Sequence, residues 1–130
     1  MPTFRFNKLV RDGMPVLYEQ LGQQISFRRL VGAELLRAYR NKFIEEASEL
    51  PEDGDRQKTI EELADLEQLK KDSQALLGVT DEEIETIRLK KLHEKGGFSE
   101  GIFVDTISLE DEEWVNYYRS EPEKYPEAKE

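Results

Sequence analysis

Two runs free of proline and glycine, residues 33–50 and 56–77, are separated only by the five residues PEDGD, and this constrains the fold more than any other feature. In the first, AELLRAYRNKFIEEASEL, Leu36, Tyr39, Phe43, Ala47 and Leu50 recur at steps of three and four, which is the period of one helix face. The second carries Ile60, Leu63, Leu66, Leu69 and Leu76 in the same manner. Pro51 and Gly54 interrupt the helical pattern, and a connection that short joins antiparallel neighbours. The expectation is an all-α fold, a helical bundle with these two helices at its centre.

The flanks add shorter elements. TFRFNKLVRDGMP alternates aromatic and basic residues and reads as a short extended N-terminal arm entering a turn. A brief helix is expected from Pro15, ending by Gly22, with residues 23–31 extended or irregular. Gly78 suits a C-terminal stop, and Thr80 with Glu83 has the spacing of a capping box opening a third helix, DEEIETIRLKKLHEK. GGFSEGIFV then suggests a turn and a short β-like run at Ile102 to Val104, followed by a helix over Glu110 to Arg119. Residues 1–119 are read as one domain, and residues 120–130, SEPEKYPEAKE, as a flexible tail.

Hydrophobic residues are 37% of the chain and charged residues another 37%, which leaves little apolar material for a deep core in one copy and makes a homodimer or higher homo-oligomer the expected state. The net charge of -10, from 29 acids against 19 bases, argues against binding a nucleic-acid polymer. It leaves room for a small phosphorylated ligand bridged to carboxylates by cations. No cysteine is present and His93 is the single histidine, so thiolate nucleophiles, disulfides and histidine-rich metal sites are excluded. Nothing in the chain approaches the roughly 20 apolar residues of a membrane span, and the first residues lack a signal-peptide core. A cytoplasmic protein without membrane partners is expected.

Glu46 and Glu49 in the first long helix, and Glu62 and Asp65 in the second, are each three residues apart, which puts each pair on one helix face. Either pair alone could be an ordinary solvated acidic face. Their setting separates them from that case. Glu46 lies beside Phe43, Ala47 and Leu50, and Asp65 is flanked by Leu63, Ala64, Leu66 and Leu69, so charge is embedded in an apolar stripe and needs a partner. Packed antiparallel, the helices would bring four carboxylates together, and a hard, oxygen-preferring ion such as Mg2+ would relieve the repulsion, with Mn2+ as an alternative.

The pattern KFIEEASEL followed by EELADL resembles the EExxE and ExxD signature of the MazG-like, all-α NTP pyrophosphohydrolase superfamily, which includes phosphoribosyl-ATP pyrophosphohydrolases. NKLVRDGMP resembles the NKLVRDKIP opening of one branch, and KLHEKGGFSEGIFV its basic stretch ending in GGF and GIF. The resemblance implies a MazG-like bundle and hydrolysis between the α- and β-phosphates of a nucleoside triphosphate, giving a monophosphate and pyrophosphate, in removal of aberrant or surplus nucleotides. It further implies Glu46, Glu49, Glu62 and Asp65 as metal ligands, with Glu45 holding a ligand or orienting water. The cations would acidify a water and neutralise phosphate charge, so no protein nucleophile is needed.

Asn7, Lys8 and Arg11 match the family opening and are candidates for the substrate phosphates, with Asp12 placed to orient Arg11. Lys90, Lys91 and Lys95 are further candidates, although bases in a last helical turn also complement the helix dipole. Gly13 departs from the lysine common at that position. Gly96 and Gly97 fit a helix cap as readily as an anion cradle, and His93 reads as a surface residue. Trp114, Tyr117 and Tyr118 suit packing of a terminal helix, or stacking on a base. Two alternatives stay open: a dedicated phosphoribosyl-ATP pyrophosphohydrolase of histidine biosynthesis, and a non-catalytic acidic helical module that binds nucleotide or another protein. The base and sugar of the nucleotide are not encoded in a metal motif.

Overall fold

The structure is a computed structural model that describes residues 1–128. It is all-helical, with α1 (Met14–Gln20), α2 (Gly32–Ser48), α3 (Arg56–Leu77), α4 (Asp81–Lys95) and α5 (Glu112–Ser120). Among the described residues there is no strand, so the β-like run expected at Ile102 to Val104 is irregular chain. Its three apolar residues have no second strand to bond to, and a lone extended segment gains nothing from β propensity. None of the helices is long and apolar enough to cross a membrane. The chain divides into two compact units, Met1–Arg88 and Leu89–Glu130.

In the first unit, α2 and α3 pack together across a short turn. Glu46, near the end of α2, meets Glu62, near the start of α3, whereas Tyr39 further back on α2 feels Asp72 further along α3. The helices are therefore antiparallel. The connecting turn is built from side-chain bonds: Asp53 accepts from the Asp55 backbone N–H at 3.0 Å, and Asp55 caps α3 by accepting from the Lys58 N–H at 3.0 Å.

α2 ends at Ser48, two residues short of the expected boundary. Pro51 disfavours helical geometry at the residue before it, and the last turn tightens: Glu49 donates its N–H to the Glu46 carbonyl at 3.1 Å, and Leu50 donates to Ala47 at 3.2 Å. Glu49 thus sits at the helix end rather than inside it, one tight turn from Glu46.

At the far end of α3, Gly78 adopts a left-handed conformation (φ 68°), and the Val79 N–H reaches back to the Gln74 carbonyl at 2.9 Å. A Cβ at Gly78 would meet nothing within 4 Å, so the cost of a side chain there is purely one of backbone conformation. Gly78→Ala is expected to destabilise the chain by about 1 kcal/mol, read as a lowered midpoint of helical circular dichroism on heating or in urea. The capping box of α4 forms in both directions: Thr80 donates its N–H to Glu83 at 2.8 Å, and the Glu83 N–H donates to the Thr80 hydroxyl at 3.1 Å.

No hydrophobic side chain is fully buried among the described residues. Tyr39, Phe43, Leu66 and Leu69 are half-buried between α2 and α3, while Ile44, Ile60 and Leu63 remain largely open to solvent.

In the second unit, Trp114, Tyr117, Tyr118 and Tyr125 pack on one another, the closest rings being Tyr118 and Tyr125 at 4.8 Å between centroids. Arg119 forms a two-pronged ion pair with Glu127 at 2.7 and 3.0 Å, which turns the segment after α5 back on that helix. Of the tail read as flexible, Lys129 and Glu130 lie outside the described residues.

Candidate metal centre

Glu46, Glu49 and Glu62 each present a carboxylate oxygen to a common point, all within 4.8 Å of one another. Two come from the end of α2 and one from the first turns of α3, so the antiparallel hairpin assembles them. Three oxygens on one six-coordinate Mg2+ include at least two neighbouring pairs about 3.0 Å apart, so the trio would draw together from its present spacing to take the ion.

Glu46 is one of only two buried polar side chains among the described residues, with 8% of its surface exposed. Its charge is met by Lys42, one helical turn earlier, at 3.3 Å. Glu62 is the electrostatically stressed member. Its carboxyl is pushed up to about 7, first by a hydrogen bond shared with Glu46, then by desolvation, then by the charges of Glu46, Glu49 and Asp65. Its Oε2 is buried and has no hydrogen-bond partner. A buried carboxylate oxygen without a hydrogen-bond partner, on a side chain crowded by like charges, is what a cation, or a proton, would satisfy.

Asp65, the fourth carboxylate, stands outside the close trio and is ion-paired with Arg11. Glu45 accepts from Lys8 at 3.1 Å and from Lys42 at 3.3 Å, and these lysines, Lys8 first, hold its carboxyl below the usual range. The N-terminal arm therefore lies against the acidic face of the hairpin, with Lys8 and Arg11, two of its three cations, engaged by carboxylates. Asp12 does not orient Arg11 as expected: the guanidinium reaches across to α3 instead, where the denser negative charge lies.

Asn7 has a backbone role. It takes a left-handed conformation (φ 47°), which asparagine tolerates better than most residues, and so turns the arm between Phe6 and Lys8. Phe6 packs edge-on against Tyr18 of α1 at 6.1 Å between centroids. Lys90, Lys91 and Lys95 are exposed on α4 beyond Arg88, in the second unit, and make no ion pair among the described residues. His93 is exposed beside them.

Lys42 is the site residue missed at the level of sequence. Its signal was present in the spacing: a lysine three residues before Glu45 and four before Glu46 bridges both on a helix.

No protein-family model, no curated protein and no solved structure matches the chain.

Proposed function

We propose that this chain is a Mg2+-dependent nucleoside triphosphate pyrophosphohydrolase that cleaves between the α- and β-phosphates and acts as a homodimer. The observation that carries the reading is the Glu46, Glu49 and Glu62 trio with the unpartnered, buried Oε2 of Glu62. The EExxE and ExxD spacing, together with the NKLVRD and GGF segments, supports it by resemblance.

Glu46, Glu49 and Glu62 would hold the ion, with Asp65 joining when it exchanges Arg11 for metal. When bound, the ion acidifies a water and neutralises charge on the phosphate oxygens. Lys42, 3.3 Å from Glu46, sets a cation beside that buried carboxylate. Glu45, paired with Lys8 and Lys42, fixes the helix face that carries the ligands, and Arg11 and Lys8 supply arm cations for the phosphate chain. Manganese, which also takes oxygen ligands, could serve in place of magnesium.

The test is a panel of ribo- and deoxynucleoside triphosphates, modified forms and phosphoribosyl-ATP, incubated with folded chain and Mg2+ while pyrophosphate is measured. Release that depends on Mg2+ and disappears with chelator is the expected result. A well-folded preparation that releases no pyrophosphate from any member overturns the reading.

A further inference from the structure

We propose that residues 96–128 form an acidic, aromatic strap that docks on the basic N-terminal segment, residues 1–44, of a second copy of the chain. Three observations point there. The first is that the strap is built to be covered. Phe98 is 100% exposed, Phe103 85% and Ile102 78%. From Ile102 to Glu110 the backbone makes no backbone hydrogen bond among the described residues. Apolar side chains of this kind are stabilised by burial, so a row of them left in water is costly.

The second observation is charge. Residues 96–128 carry nine acids and two bases, a net of -7, whereas residues 1–44 carry eight bases and three acids, a net of +5. Within the N-terminal segment, Arg5, Arg29, Arg37 and Arg40 have no carboxylate partner among the described residues. The strap offers Asp105, Glu110, Glu112, Glu113, Glu121 and Glu123 in the same unpaired state. Lys8, Arg11 and Lys42 are already engaged by Glu45, Glu46 and Asp65, so it is the unpaired arginines and the unpaired strap acids that favour and orient association.

The third observation is that the N-terminal segment interleaves its cations with exposed apolar groups in the same way: Phe4 is 79% exposed, Val31 77% and Phe27 54%, with Arg29 lying over the Phe27 ring at 5.6 Å. The two surfaces therefore match in kind, aromatic with anion against aromatic with cation. Both belong to one chain, so two copies can exchange straps about a two-fold axis, each contact occurring twice and the assembly closing at two.

The inference rests on the dimer named above and specifies how it forms. The absence of cysteine allows a clean test. A Ser99→Cys chain carrying a nitroxide spin label, without isotope, is refolded together with unlabelled-cysteine-free 15N chain, and the amide spectrum of the 15N chain is recorded. Loss of intensity at amides of residues 4–6 and 27–31 of the 15N chain, in a particle of twice the 15.2 kDa chain mass, is the expected result. A particle of one chain mass overturns both the dimer and the strap. A dimer with no loss at those amides, or with loss only when label and isotope share a chain, overturns the strap alone.

Discussion

Glu62→Gln is expected to lower Mg2+-dependent pyrophosphate release roughly a hundred- to a thousand-fold, the usual scale for removing one preorganised charged group from a phosphate-transfer site. The same change is expected to raise the thermal midpoint of the metal-free chain at about pH 8. The two effects have one cause. Glu62 is crowded by Glu46, Glu49 and Asp65, and its carboxyl resists ionisation until about pH 7. Glutamine keeps the shape, donates its amide to Glu46 and removes the repulsion, but it forfeits the negative charge a cation would use. At about pH 5 wild-type Glu62 is already protonated, so the midpoints of the two chains converge there. Activity is followed by pyrophosphate release and stability by circular dichroism without metal. Unaltered release, or equal midpoints at both pH values, would remove the assigned role of Glu62.

The sequence made the hairpin legible because two amphipathic runs joined by a five-residue turn leave few topologies, and Gly78 and Thr80 with Glu83 cap as their spacing implies. Of the four carboxylates that the i, i+3 spacing singled out, Glu46, Glu49 and Glu62 come together and Asp65 is taken by Arg11. What periodicity could not carry was the arm. That Arg11 chooses Asp65 over its neighbour Asp12, and that Asn7 turns the backbone, depends on where a flexible segment comes to rest against a charged face. Helix content was likewise readable, but burial was not. Leu63 and Ile60 satisfy a helical stripe in the sequence, yet only Leu66 and Leu69 are half-buried against α2, because α3 presents a narrower contact face than its apolar stripe.

A second large effect concerns proton and metal at the same place. In the folded chain the Glu62 carboxyl titrates at about 7, against 4.5 for an ordinary glutamate, so between these values the folded state holds a proton that the unfolded chain has lost. Stability of the metal-free chain therefore falls as pH rises through that window. The Glu62 contribution is fully present below about pH 4.5 and lost above about pH 7. Glu45 runs the other way: Lys8 and Lys42 depress its carboxyl, so its contribution is present above its unfolded value and lost on acidification below it. A cation supplies what the departing proton no longer does, so Mg2+ affinity is expected to rise with pH up to about 7 and binding to release a proton in the lower part of that range. At about pH 8 and a Mg2+ concentration 100-fold above its dissociation constant, the stabilisation is about 2.7 kcal/mol, or a midpoint rise on the order of 10 °C for a unit of this size. At about pH 5 the rise shrinks, because the proton already occupies the site. Differential scanning calorimetry with and without Mg2+ at the two pH values measures both shifts. Equal metal-induced shifts at the two values would show that Glu62 and the cation do not share a site.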